Sequence, residues 1–203
     1  MNIKIPSNKS ITIRDFIAWS KCKTDIERMY HITGMPEKKV LQFKPETIDK
    51  IIEMYQDSID DTSGEFVRSF RIRKNWKSKR LAIIPNFESM SVAEYIDTDE
   101  FLKQIQKKQF DAIPKLLAVL YRPIDLKLGD WYRLEPYDTD KVPYYIEHLK
   151  DISLYQYNGL LAFFLDFAVE LLEDLHQSSQ VMTEKIMNQP EIPDSPHSDG
   201  STS

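Results

Sequence analysis

A chain of 203 residues, 41% hydrophobic and 11% aromatic, is long enough to bury one core of ordinary size and leaves a second full domain cramped. Its formal net charge of −5 excludes attraction of the chain as a whole to nucleic acid or an anionic membrane, so any such binding has to be local. The single cysteine, Cys22, excludes an internal disulfide and a cysteine metal cluster, which fits a reducing cytoplasm.

The first ten residues, MNIKIPSNKS, lack the apolar run of a secretion signal, and NIKI reads as a short strand. Thr12 followed by Asp15 has the spacing of a capping box and opens a first helix through Phe16, Ile17 and Trp19. Thr24 and Glu27 repeat that signal for a second helix carrying Ile26, Met29, Tyr30 and His31. Gly34 suits a helix end that needs positive φ, and Pro36 suits the start of the next short helix. Pro45 begins a longer helix whose Ile48, Ile51, Ile52 and Tyr55 recur at the helical period.

From Phe66 to Phe87 the pattern turns to β-rich runs, FVRSFRI and RLAIIPNF, flanking the polar stretch RKNWKSK, which reads as the turn of a β-hairpin. Ser91 with Glu94, and Asp97 with Glu100, then predict two short helices or one broken helix. In DAIPKLLAVLYRP, Asp111 caps, Pro114 sits in the first turn and Pro123 ends a helix apolar almost all round, placed at the centre of the core. IDLKLGDWYRLEPYDTD reads as a loop with WYRLEPY briefly extended, and Asp140 precedes a helix with Pro143, Tyr144, Ile146 and Leu149. A last helix spans about Leu154 to His176, where Gly159 costs roughly 1 kcal/mol against alanine and so predicts close backbone packing. Its apolar run from Leu160 to Leu172 is interrupted by Asp166 and Glu170 and is too short to span a bilayer.

The expected fold is therefore mainly α with a small β-hairpin (α+β). One compact multi-helix domain covers residues 1–186, with the hairpin at about 66–87. A disordered tail, rich in Pro, Ser and Asp, covers 187–203.

His31, His148, His176 and His197 are scattered without metal-ligand spacing, and the acidic clusters DSIDD and DTDE lack the glycine and ligand series of a calcium loop. No acid, base and nucleophile converge in sequence, so the expectation is a protein that is not an enzyme and uses no cofactor or metal. The one informative charge pattern is Arg68, Arg71, Arg73, Lys74, Lys77, Lys79 and Arg80, uninterrupted by any acid and containing Trp76. Such a set can contact phosphates while an indole stacks on a base; the favoured reading is a solvated hairpin whose lysines protect a sheet edge from pairing. The run Phe163, Phe164 and Phe167 reads as core in preference to a partner groove.

The succession ITIRDF, ITGMPEKKV and KPETIDKI, with the later MSVAEYIDTDEF, IPKLLAVLYRPI and YRLEPYD, resembles tail-assembly chaperone-like and tail-module accessory proteins of tailed bacteriophages. The resemblance implies a non-enzymatic helical protein that binds tail components such as the tape-measure protein before the tail tube polymerises. It implies no catalytic residues and places the chain in the cytoplasm of the bacterial host. Two other readings stand beside it: a structural virion protein at the head–tail junction, found in the particle, and a DNA-binding accessory protein using the basic hairpin. Phage tail or other virion proteins are the expected partners, nucleic acid the less favoured one, and no membrane is expected.

Overall fold

The computed structural model describes residues 3–74, 77–84, 90–129 and 131–164, with the backbone alone for 73, 74, 77 and 78. The chain divides into two compact units, residues 1–162 and 163–203. In the second, the described Phe163 and Phe164 are helical, with ring centroids 6.1 Å apart; Phe167, His176, His197 and the expected tail lie outside the described residues.

The elements of the first unit are α1 (Ile13–Lys21), α2 (Asp25–Thr33), α3 (Glu37–Val40), α4 (Pro45–Asp60), β1 (Ser69–Lys74), β2 (Lys77–Ile83), α5 (Val92–Gln106), α6 (Ile113–Leu120), β3 (Tyr121–Leu128), β4 (Trp131–Leu134) and α7 (Val142–Leu149). A final helix, α8, opens at 154 and continues to the end of the unit at 162. The protein is mainly helical with one antiparallel sheet, in the order β1-β2-β3-β4.

Local chemistry sets the first helices. Thr12 and Thr24 both close capping boxes, each side chain accepting from the N3 amide while Asp15 or Glu27 reaches back. Gly34 ends α2 at φ 67, in the left-handed region, and donates its N–H to Tyr30 O at 2.7 Å. The chain then re-enters α3 after Pro36 and α4 at Pro45. These turns fold α2, α3 and α4 onto one cluster of Met29, Val40 and Ile51, packed by Ile3, Ile5, Ile32, Met35, Ile48 and Ile52.

NIKI is not a strand from Ile3 onward. Its isoleucines serve as packing for that cluster, and the adjoining segment is held by Asn8, whose Nδ2 donates to Ser63 O at 3.1 Å and Ser63 Oγ at 3.0 Å.

α6 lies at the centre of the core, with every residue buried except Lys115. It ends at Leu120, before Pro123, and Asp111 does not cap it: Asp111 sits in a 3-10 turn and its carboxylate meets Lys21 at 2.8 Å. Pro123 instead lies inside β3, opposite Leu81, and its carbonyl accepts Glu135 N–H at 2.9 Å. The stretch expected as a loop is therefore a second hairpin, β3–β4, turning through Gly129 at φ 60. α5 is one continuous helix, not two. The first hairpin is also longer than RKNWKSK suggests, since β1 reaches Lys74 and β2 begins at Lys77.

α8 crosses the chain at Gly64 with backbone against backbone. A Cβ on Gly159 would lie 2.2 Å from Glu65 C, and one on Gly64 would lie 2.1 Å from Gly159 N. The glycine that is unfavourable for helix propensity is required by space.

Candidate functional site

β1 is an edge strand, and the register sets Arg71 opposite Arg80, Arg73 opposite Ser78 and Lys74 opposite Lys77. Arg68, Arg71 and Arg80 are exposed, and among the described residues none of them meets a carboxylate; Arg80 Nε donates to Ser69 Oγ at 3.1 Å. Two guanidinium groups at directly opposed positions repel, so this surface gains from a bound anion. Lys79 is diverted from it. Desolvation lowers its pKa, but the bond to Glu135 at 3.2 Å, with Tyr145, outweighs that and holds the ammonium above its ordinary value. Trp76 and the side chains of Arg73, Lys74 and Lys77 lie outside the described residues. The structure thus keeps three of the eight expected basic-hairpin residues as exposed cations and draws one into an ion pair.

A second surface went unread in the sequence. Between α1 and α2 an open groove of about 850 Å³ is lined by Ala18, Cys22, Ile26, Tyr30, His31 and Gly34, with Lys21, Lys23, Glu27 and Glu37 also contributing. Tyr30 is 60% exposed, far above what a helix face turned to the core would show. The lining mixes apolar side chains with charges of both signs. Glu27 is committed to the α2 cap, where the amides of Lys23 and Thr24 hold its carboxyl below the usual range. Burial pushes the Cys22 thiol up, which leaves it a weak nucleophile at neutral pH. His31 is structural: its Nε2 lies 3.2 Å from Tyr55 Oη, and its ring contacts Trp19 and Tyr55.

The third feature is a polar cluster between α5, β3 and the segment after β4. Glu94, 3% exposed, accepts Ser91 N–H on Oε2 at 2.6 Å, while Oε1 lies 3.0 Å from Arg122 Nη1. That contact is an ion pair only, and Glu94 Oε1, Arg122 Nε and Thr98 Oγ1 have no hydrogen-bond partner among the described residues. Burial lowers the Arg122 pKa against the pull of Glu94. Tyr137 donates its hydroxyl to Asp97, and burial, reinforced by that carboxylate, raises the phenol well above its ordinary value. The adjoining cavity, lined in part by Arg122, Glu135 and Tyr137, holds about one water. It is a structural lock around α5 with no room for a substrate.

Among the described residues, no three His, Cys, Asp or Glu side chains gather as metal ligands, and no helix is long and apolar enough to cross a membrane. The acidic residues of DTDE divide: Asp97 takes the Tyr137 bond, and Asp99 pairs with Lys103 at 2.5 Å. Compared with known protein families, characterised proteins and solved structures, the chain matches none.

Proposed function

We propose that this chain is a non-enzymatic assembly protein of a tailed bacteriophage, a chaperone that holds an amphipathic helical segment of a tail component such as the tape-measure protein. The observation that carries this reading is the α1–α2 groove, whose lining combines Ala18, Ile26 and exposed Tyr30 with Lys21, Lys23, Glu27 and Glu37. A helix about 10 Å across laid in such a groove anchors through residues at i, i+3, i+4 and i+7. Charges of both signs in the lining then fix its direction. The order of helix, glycine stop and proline-led helices that builds the groove is also the part of the chain carrying the resemblance to tail-assembly chaperones. On this reading the protein works in the host cytoplasm.

Co-expression with the tape-measure protein is the test. The proposal expects the tape-measure protein to become soluble and to co-purify with the chain, and expects Ile26→Asp with Tyr30→Asp to abolish both while circular dichroism stays unchanged. No gain in solubility with the unaltered chain, or co-purification indifferent to the double substitution, overturns it. Recovery of the chain in purified particles by mass spectrometry supports the head–tail junction instead.

One observation favours a second reading. Arg71 and Arg80 are directly opposed, with no carboxylate on either of them among the described residues. A DNA-binding accessory role predicts a gel shift at low salt that Arg71→Glu with Arg80→Glu removes.

A further inference from the structure

β1 is the outer strand of the sheet, and one bond fixes which of its backbone groups look outward. Ile83 N–H donates to Arg68 O at 3.0 Å, so positions 68 and 83 face each other as a hydrogen-bonded pair. Bonded and non-bonded pairs alternate along an antiparallel ladder. The register therefore bonds Phe70 with Leu81 and Ile72 with Lys79, and leaves Ser69 with Ala82, Arg71 with Arg80 and Arg73 with Ser78 as the non-bonded pairs. Ser69, Arg71 and Arg73 turn their N–H and C=O groups away from β2. Among the described residues nothing bonds to those groups.

The two faces of this edge differ in kind. Ser69 and Arg71 share one face with Arg80, whose Nε donates to Ser69 Oγ at 3.1 Å, and both arginines are exposed. In a non-bonded pair the Cα atoms approach to about 4.5 Å, which crowds the two guanidinium groups. Phe70 and Ile72 lie on the other face: Ile72 is 6% exposed, and the half-buried Phe70 packs on Tyr121 with ring centroids 5.0 Å apart.

We propose that β1 is a docking edge for an extended acidic peptide of another protein, which joins the sheet beyond β1 as an added strand. The guest backbone answers the outward N–H and C=O groups of Ser69, Arg71 and Arg73. A guest residue opposite Arg71 puts its side chain on the arginine face, and the residues two before and two after it stay within diagonal reach. Glu or Asp at those alternate positions meets Arg71 and Arg80 in charge-assisted bonds. The positions between fall beside Phe70 and Ile72 and are apolar. The recognised sequence thus alternates acids with residues such as Val.

Charge and hydrogen bonding disfavour the two nearest competitors. β1 of a second copy reads SFRIRK, three bases and no acid, so no register supplies Arg71 with a carboxylate. A nucleic acid satisfies the arginines, but its phosphodiesters only accept hydrogen bonds and leave the outward carbonyls without donors. The net charge of −5 also opposes a long polyanion. This edge and its guest are independent of the α1–α2 groove.

Titrating a fluorescent peptide of about eight alternating Glu and Val residues with the full chain, followed by polarisation, tests the proposal. The expected result is saturable binding that weakens about tenfold in Arg71→Ala. Arg71→Glu with Arg80→Glu, at positions already in water, removes it while circular dichroism stays unchanged. Methylating the backbone nitrogens of one alternate set of peptide residues abolishes binding, and methylating the other set does not. The bound peptide slows hydrogen exchange at the amides of Ser69 and Arg71. No binding, equal binding of a peptide with the same residues in two blocks, or indifference to which set is methylated overturns the proposal. A short DNA strand that binds more tightly and displaces the peptide overturns it too, in favour of the DNA-binding reading.

Discussion

Gly159→Ala is the substitution whose sign the structure decides against local propensity. Inside a helix, alanine is favoured over glycine by about 1 kcal/mol. At this position the new Cβ would lie 2.2 Å from the carbonyl carbon of Glu65, 2.4 Å from its oxygen and 2.5 Å from Phe66 N, while ordinary contact begins at 3.4 Å. The segment around Glu65 has to withdraw by 3.4 − 2.2 = 1.2 Å, against backbone on both sides. That movement strains the bond from Glu65 N–H to Tyr155 O at 3.1 Å and the bond from Asn158 Nδ2 to Asp61 O at 2.8 Å. Overpacking of this kind costs about 1–3 kcal/mol, and each weakened hydrogen bond costs about 1 kcal/mol more. The sum exceeds the propensity gain, leaving a net destabilisation of about 2–4 kcal/mol, or roughly 2–4 °C of Tm for each kcal/mol. Thermal unfolding followed by circular dichroism measures it. Gly34→Ala is the control, because nothing lies within 4 Å of its Cβ and the whole penalty comes from φ +67; Gly34→Asn should restore most of that loss. A Gly159→Ala protein that melts higher than the parent refutes the close approach of α8 to residues 64–66.

Buried polar groups set two further outcomes. Burial lowers the His31 pKa below its ordinary 6.5 despite the opposing pull of Asp15; as pH falls through 6.5 the unfolded chain takes up the proton first, so stability is complete above 6.5 and declines below it. His31→Gln should flatten that decline in denaturant titrations taken at successive pH values, and an unchanged slope assigns it elsewhere. Replacing Glu94 alone by leucine strands the Arg122 charge in the interior and should cost about 3–5 kcal/mol, whereas Glu94→Leu with Arg122→Met should recover most of it; equal losses in urea unfolding would show that the pair does not act as a unit.

Much of the first 60 residues was legible because their signals are local. A capping box needs four consecutive residues, a left-handed stop needs one glycine, and the spacing of Ile48, Ile51, Ile52 and Tyr55 marks a buried stripe unaided. Gly159 was legible for the same reason, since a glycine inside an apolar helix has few explanations other than a backbone neighbour. Errors arose where one strong punctuator hid a weaker period. Pro123 reads as a helix stop, yet Ile124, Leu126 and Leu128 are followed by a Gly129 turn and by Trp131 to Leu134, which is a hairpin. Asp97 and Glu100 imitate a second cap within α5, but Asp97 is bound to Tyr137, 40 residues away. The burial of Glu94 was not legible because the partner that meets it inside, Arg122, belongs to β3. The basic hairpin was legible as a composition but not as a site: only the register reveals that Arg71 opposes Arg80 while Glu135 engages Lys79. No single residue announces the α1–α2 groove, whose lining is drawn from positions between Ala18 and Glu37 that meet only once the helices are folded together.

Hydrogen–deuterium exchange on the chain co-purified with the tape-measure protein tests the central claim most directly. Partner binding in the groove predicts slower exchange in amides of residues 18–37 than in the chain alone, with β1 and β2 unchanged. Protection confined to 68–84, with 18–37 exchanging as in the free protein, would contradict it.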